Sequence, residues 1–323
     1  MRLWISSNST VRVLVLGATS LVGSHFVQSA PVTGIVAAGR RDPRDLGIRV
    51  EKFLQADFTA PDEVARVVAD SQCEVIVNFA ARTDVDGCEK ERPVSRESIA
   101  PEPDHQSAWH LNAEVPGSLA KEVVRRDLYL VHVSTDFVFS GENGPYPENA
   151  LPDPYGAHVS WYGYTKGQGE RAILSLAPKN SAIVRISYPY RTSFGFKTDF
   201  ARSILDRARK GSLYPLYIDQ VITPTWIPDV TRTIQALLSV RTTGTFHVAS
   251  PHPTTPFAFG LTLLGQARLP TRDIATTRLS EVRDPARAPR PQRGGLLVDR
   301  VRQLGVEPVV FEEGIRRLLA GTD

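Results

Sequence analysis

The sequence predicts an α/β protein, a doubly wound parallel sheet followed by a smaller C-terminal lobe. Two observations predict it. Over residues 1–187 of a 323-residue chain, short β-branched runs alternate with longer helical patterns. The first run also passes straight into a glycine-containing turn and a helix, an arrangement that presents backbone N–H groups to a phosphate. Strands alternating with helices imply right-handed crossovers, and therefore parallel strands.

The elements follow in order. "VRVLVLG" (Val11–Gly17), "GIVAAG" (Gly34–Gly39), "VEKFLQAD" (Val50–Asp57), "EVIVNFA" (Glu74–Ala80), "LYLVHVS" (Leu128–Ser134) and "SAIVRIS" (Ser181–Ser187) read as buried strands. Helical patterns such as Pro61–Asp70 and Asn112–Arg126 lie between them. Glu91–Gln106 is a long polar insertion with the composition of a surface loop. Beyond Tyr188 the rhythm loosens and Pro, Gly and Arg accumulate, as in Arg283–Gly295. This divides the chain into a dinucleotide-binding domain, 1–187 with a return near 214–250, and a substrate-binding lobe made of 188–213 and 251–323.

Composition narrows the function. The 38 basic and 35 acidic residues are intermixed and leave a net charge of +3, too balanced for a nucleic-acid partner. Cys73 and Cys88 form no CxxC, so two free thiols in a reducing compartment are expected, with neither a disulfide framework nor a metal site. The opening "MRLWISSNST" has no long apolar run, and no stretch approaches about 18 apolar residues. A cytoplasmic protein with no membrane partner is expected.

The chemistry-bearing residues gather at strand ends. Gly17 and Gly23 sit at the first strand-to-helix turn, with Ser20 in the place of the usual middle glycine. The second strand ends in Gly39, Arg40 and Arg41 where NAD-preferring sites carry an acid. Guanidinium groups there suit a 2′-phosphate, so NADP(H) is the expected cofactor and NAD(H) the second choice; a solvated basic loop is the bland reading. Asp57, ending the third strand, is either an adenine contact or a turn aspartate. Ala80 and Ala81 leave room for a cofactor. Thr83, Asp84 and Val85 follow the fourth strand, and Ser134, Thr135 and Asp136 end the fifth, so both sets reach one crevice. In "WYGYTKGQGE" (Trp161–Glu170), helical spacing lets Tyr162, and not Tyr164, meet Lys166.

With these pieces in hand, the chain resembles an extended short-chain dehydrogenase/reductase, and most closely the dTDP-4-dehydrorhamnose reductase family. The matching stretches are "GATSLVG", "VIVNFAARTDVDGCEKE", "LNAEVPGSLA", "VHVSTDFVFSGENGPYPE", "WYGYTKGQGE" and "DQVITPTWIPD", in family order, with a looser match at "RAPRPQRGGLLVD". The resemblance implies a Rossmann-type sheet and a catalytic set of Thr135, Tyr162 and Lys166. It implies a cofactor site of Gly17, Thr19, Ser20, Leu21, Val22, Gly23, Arg40, Arg41, Asp57, Phe58, Phe79, Ala80 and Ala81, joined by Tyr162 and Lys166. Around a nucleotide-sugar substrate it implies Thr83, Asp84, Val85, Asp136, Phe137, Tyr188, Asp219, Gln220 and Thr225, the last three alternatively forming a polar loop. Asn112 is either site-lining or a helix N-cap.

Four departures bear on the sugar: Ser20 for glycine, Phe137 for the usual tyrosine, Tyr188 where members commonly carry tryptophan, and the Glu91–Gln106 insertion, long for the family. The activity expected from the resemblance is NADPH-dependent reduction of a nucleotide-linked 4-keto-6-deoxysugar in dTDP-rhamnose biosynthesis, by a protein that could pair as a homodimer. Two alternatives stay open. One is a non-catalytic dinucleotide-binding regulatory subunit like the β subunit of methionine adenosyltransferase. The other is a reductase or epimerase of a different sugar nucleotide.

Overall fold

The computed structural model describes residues 11–29, 34–60, 62–93, 107–156, 158–192, 197–282, 284 and 287–322. In chain order the strands are β1 (Val13–Leu16), β2 (Ile35–Gly39), β3 (Lys52–Gln55), β4 (Val75–Asn78), β5 (Tyr129–Thr135), β6 (Ser181–Ile186), β7 (Leu216–Tyr217), β8 (Gly244–Val248) and β9 (Thr276–Thr277). The helices are α1 (Leu21–Ser29), α2 (Glu63–Ser71), α3 (Val85–Glu89), α4 (Val115–Arg126), α5 (Trp161–Leu176), α6 (Phe200–Arg209), α7 (Ile227–Val240), α8 (Pro256–Gln266), α9 (Asp299–Gln303) and α10 (Phe311–Ala320). Seven strands form one parallel sheet in the order β3-β2-β1-β4-β5-β6-β8, and β7 pairs with β9. All six strands read from the sequence are present, and the doubly wound fold is borne out.

The sheet is covered on both faces, which is why its strands read as nearly unbroken apolar runs. Side chains alternate across β1. Val13 and Val15 enter one layer with Phe26 of α1 and Val230, Ile234 and Leu237 of α7. Leu14 and Leu16 enter the other with Val64 and Val67 of α2, Leu119 and Val123 of α4 and Ile173 of α5. Every side chain of β1 is fully buried, each contributing roughly 1.5–3 kcal/mol of transfer free energy. Because β2 lies on one side of β1 and β4 on the other, the chain winds in opposite directions from that point. A crevice opens there, at the carboxyl ends of the strands.

A smaller apolar cluster lies beyond the sheet: Tyr190, Ala201, Ile204, Leu205, Phe259, Leu263, Phe311 and Ile315 pack around Trp226. Segment 214–250 contributes to both bodies. Leu216 and Trp226 join the small cluster, whereas α7 and β8 cover and extend the sheet. Of the polar insertion, residues 94–106 lie outside the described residues. Both cysteines are free and buried. Among the described residues no helix is long and apolar enough to cross a membrane, and no His/Cys/Asp/Glu cluster could hold a metal ion.

Candidate active site

Two adjoining cavities occupy the crevice. The first, about 300 Å³, is lined by Gly17, Ala18, Thr19 and Ser20 from the β1–α1 turn, Arg40 and Arg41 after β2, Asp57 and Phe58 after β3, and Phe79, Ala80 and Ala81 after β4. The second, about 400 Å³, shares Ser20, Phe79 and Ala81 and continues past Leu21, Val22, Thr83 and Val85. It ends among Ser134, Thr135, Asp136, Phe137, Tyr162, Lys166 and Tyr188, with Lys197, Phe200 and Arg290 at its outer wall.

The dinucleotide turn is shaped by close approach. Gly17 has φ +76°, in the left-handed region that favours glycine, and a Cβ there would lie 2.8 Å from the Ala80 backbone nitrogen. Ser20 departs from the glycine pattern for a local reason. Its Oγ accepts the Gly23 N–H at 3.0 Å and so caps α1. Arg40 and Arg41 are exposed at the cavity rim. Asp57 accepts both the N–H and the hydroxyl of Thr59, at 3.1 and 2.8 Å. Those bonds, with help from Arg40, hold its carboxyl below the usual range against the effect of burial. The turn and the adenine-side readings of Asp57 are therefore compatible.

Tyr162 stands in the first turn of α5. Ser160 caps that helix through its Oγ, which accepts the Gly163 N–H at 3.1 Å. A Cβ on Gly163 would lie 1.8 Å from the Phe137 carbonyl oxygen, so only glycine lets α5 press this closely on the end of β5. The Tyr162 phenol consequently faces Thr135, whose hydroxyl tempers the effect of burial on its acidity. The Thr135 hydroxyl also accepts the Phe137 N–H at 3.2 Å and donates to Asp136 Oδ1 at 3.3 Å, so it caps the turn and faces the phenol together. Burial drives the phenol's pKa well above its ordinary value, the Thr135 contact opposing it. Asp136, fully enclosed and receiving the Ser187 hydroxyl at 2.7 Å, is raised by burial to about 6.

Lys166 lies beneath Tyr162. Helical spacing brings Lys166 to the face of α5 that bears the phenol. The lysine's hydrogen bonds run instead to the Val133 carbonyl at 2.8 Å and to His132 Nε2 at 3.1 Å. Burial lowers Lys166 to about 8, while Glu170, one turn along, pulls it back up. Tyr164 points elsewhere, into a cluster with Trp161 at 5.6 Å and Tyr155 at 5.1 Å between ring centroids.

The outer cavity wall is aromatic and basic. Phe137 packs against Tyr162 at 5.9 Å and Tyr188 at 6.3 Å, and the Arg290 guanidinium lies 5.9 Å above its ring. Arg290 also grips both carboxylate oxygens of Asp86, at 2.9 and 2.8 Å. Lys197 donates to Thr83 Oγ1 at 3.0 Å. Tyr188 has φ +43°, a left-handed conformation costing a bulky residue about 1–3 kcal/mol, and its phenol accepts from Gln220 at 3.0 Å.

Other sequence candidates act from behind the wall. Asp84 caps α3 through the Gly87 N–H at 3.1 Å. Asp219 gathers the Leu279 and Ser280 N–H groups, at 2.6 and 3.2 Å. Thr225 is fully buried between Ser187 and Val248. Asn112 is no N-cap. It lies within a π-helical turn, His110–Glu114, and clamps the Arg82 backbone on both sides, at 2.9 and 3.0 Å. Lys197 and Arg290 were not among the sequence candidates, and Ser134 was placed in the crevice without a role. Ser134 Oγ is buried on the cavity wall with no protein partner. Arg290 falls in the looser "RAPRPQRGG" match; Lys197 carries no sequence signal.

Comparison with known proteins places these features in context. The RmlD substrate binding domain family matches residues 11–323. A probable low-salt glycan biosynthesis reductase, Agl14 of Haloferax volcanii, is 31% identical over 95% of this chain and 96% of its own. Methionine adenosyltransferase 2 subunit beta of Danio rerio is 29% identical over 94% and 89%. The crystal structure of dTDP-4-dehydrorhamnose reductase from Bacillus anthracis in complex with NADP superposes with a TM-score of 0.76 at 24% identity, covering 98% of this chain and 100% of that one.

Proposed function

The chain belongs to the RmlD substrate binding domain family, and from that premise we propose that it is an NADPH-dependent reductase of a nucleotide-linked 4-keto-6-deoxysugar, converting dTDP-4-dehydrorhamnose to dTDP-rhamnose. The observation that carries this reading is the Tyr162–Thr135 contact at the inner end of a 400 Å³ cavity continuous with the glycine turn. Gly17 leaves a backbone cradle of the kind a pyrophosphate needs, and the orphaned Ser134 hydroxyl offers a partner to a polar group bound there. A bound nicotinamide dinucleotide would supply the hydride.

The protein's own residues supply the proton and the geometry. As a ketone is reduced, negative charge collects on its oxygen. Tyr162 gives its phenolic proton to that oxygen, and Thr135 turns its one hydroxyl proton from Asp136 to hydrogen-bond it. A phenol made less acidic by burial stays protonated throughout the neutral range. It still protonates an alkoxide, whose conjugate acid is weaker still, about as weak as water. Arg290 and Lys197 place two cations on the outer wall, suited to the diphosphate of a sugar nucleotide. The lobe around Trp226, with the segment bearing Tyr188, is assigned the role of substrate binding.

Incubation of purified protein with NADPH and dTDP-4-dehydrorhamnose tests the proposal. Reduced-nicotinamide absorbance should fall with substrate present and hold steady without it. The likeness to a methionine adenosyltransferase subunit supports a second reading, a non-catalytic regulatory partner. No turnover with any nucleotide ketosugar, together with tight binding to a methionine adenosyltransferase catalytic subunit, would select that reading. Turnover giving a different stereochemistry at the reduced carbon would select another sugar nucleotide.

Cofactor choice gives a graded prediction. Arg40 and Arg41 line the cavity beside Asp57, where a 2′-phosphate would sit. Exposed pairs contribute about 0–1 kcal/mol, and a partly enclosed charge-assisted one about 1.5–3 kcal/mol. NADPH is therefore expected to be preferred about tenfold in kcat/KM. Arg40→Ala should weaken NADPH use and leave NADH nearly unchanged, with the difference shrinking in added salt. Equal losses with both cofactors would return Arg40 to a solvated loop.

A further inference from the structure

His132 is fully buried and touches the site only through Lys166. It is the middle of a hydrogen-bond chain whose direction can be read. Ala80 N–H donates to Asn78 Oδ1 at 3.0 Å. A backbone N–H can only donate, so the amide atom facing it is the oxygen, and the nitrogen is the atom lying 3.0 Å from His132 Nδ1. That nitrogen can only donate in turn, so His132 Nδ1 accepts. A neutral imidazole whose Nδ1 accepts carries its proton on Nε2. That proton points at Lys166 Nζ, 3.1 Å away.

An ammonium has three donors and no lone pair, so it meets the His132 N–H proton against proton. An amine closes the chain. Its lone pair takes the His132 proton, and one of its own N–H groups serves the Val133 carbonyl at 2.8 Å. We infer that Asn78 and His132 are positioning residues that fix the imidazole tautomer and thereby weaken the hold of Lys166 on its proton.

His247 provides the contrast within the same chain. Its Nδ1 faces the Leu297 carbonyl at 3.0 Å and must donate, which leaves a Nε2 lone pair toward the Arg185 guanidinium at 3.3 Å. Against a permanent cation the fold presents a lone pair; against Lys166 it presents a proton. An imidazolium at His132 is no escape, since burial and the charge of Lys166 push its pKa well below the usual value. The other groups around Lys166 are Tyr162 and Asp136 in the cavity and Glu170 on α5, the last already held by Arg185 of β6. Burial acts in the same direction as the chain and brings Lys166 to about 8.

Asn78→Asp reverses the chain at one atom. A carboxylate still accepts from Ala80, but it also accepts from His132 Nδ1, which moves the imidazole proton there and frees Nε2 to accept from the ammonium. Nitrogen NMR of histidine-labelled protein reads the tautomer directly, with the His132 signal identified by its loss in His132→Gln. Wild type should show the proton on Nε2 and Asn78→Asp on Nδ1. A wild-type proton on Nδ1 overturns the inference. The kinetic arm rests on the reductase reading. With the Lys166 ammonium as the working form in the catalytic set that the family resemblance implies, the alkaline limb of kcat/KM should fall near pH 8 in wild type and move up by about one unit in Asn78→Asp, the scale of one charge-assisted hydrogen bond gained. His132→Gln, able to turn its amide oxygen to the ammonium, should move it the same way and serves if Asn78→Asp does not fold. A flipped tautomer or a glutamine replacement with an unmoved limb would refute the link to Lys166. Absence of turnover in every protein, with the wild-type tautomer as predicted, would refute the reductase reading and leave the tautomer assignment standing.

Discussion

Replacing Tyr162 with phenylalanine is expected to lower kcat by about 10²–10⁴-fold, the range for a general acid, while the dissociation constant for NADPH changes little. The substitution removes one oxygen, the one that contacts Thr135. It keeps the ring that packs against Phe137 at 5.9 Å, so the cavity wall should persist. Tyr164→Phe is the control. That ring stacks with Trp161 and Trp109, at 5.6 and 6.4 Å, away from the cavity, and its loss of a hydroxyl should cost less than about threefold, a barrier change under roughly 0.7 kcal/mol. Steady-state rates with nicotinamide absorbance, and cofactor titration by fluorescence, separate the two effects. Equal losses in both variants would remove Tyr162 from the role of acid.

Replacing Glu170 with alanine should produce the largest stability loss in the α5–β6 region, about 3–5 kcal/mol, as for breaking other buried ion pairs. The Glu170 carboxylate takes Arg185 Nε at 3.0 Å and Nη2 at 2.6 Å, and both side chains are within 1% of complete burial. Arg185 is further held by the Ala150 carbonyl at 3.0 Å and by the Phe139 ring at 4.9 Å, so it cannot swing to water when its partner is removed. The uncompensated guanidinium is what destabilises the variant. Chemical unfolding monitored by tryptophan fluorescence measures it. A change below about 1 kcal/mol would show that the pair behaves like an exposed one.

Much of this architecture was legible because its signals are local. The Gly17 turn follows its strand within one run of sequence, and the Tyr162–Lys166 spacing needs only a helix to bring both residues to one face. Polar residues after β4 and β5 were placed in one crevice because parallel strands end together. What escaped depends on strand register and on distant chain segments. Asn78 and His132 are direct partners across β4 and β5, yet each reads as an ordinary polar residue in its own strand. Arg290 and Lys197 reach the cavity from the lobe, far along the chain from Thr135. Asp219, Gln220 and Thr225 share a recognisable stretch, but their hydrogen bonds brace the loops and backbone behind Tyr188. Motif identity could not distinguish bracing from contact. The Lys166 assignment shows the same limit, because spacing located the side chain beneath the phenol without revealing that its donors point at Val133 and His132.

The central claim, that this cavity carries hydride to the keto carbon of a sugar nucleotide, is tested most directly by isotope transfer. The protein is incubated with NADPH deuterated at the transferring C4 position and with dTDP-4-dehydrorhamnose, and the recovered sugar nucleotide is analysed by mass spectrometry and proton NMR. The account predicts one deuterium per product, located at sugar C4, with the label and the oxidised cofactor formed in equal amounts, and Tyr162→Phe forming both at a rate reduced to the same degree. Sugar nucleotide recovered unlabelled and still oxidised at C4, from protein shown by titration to bind both NADPH and the substrate, would contradict it.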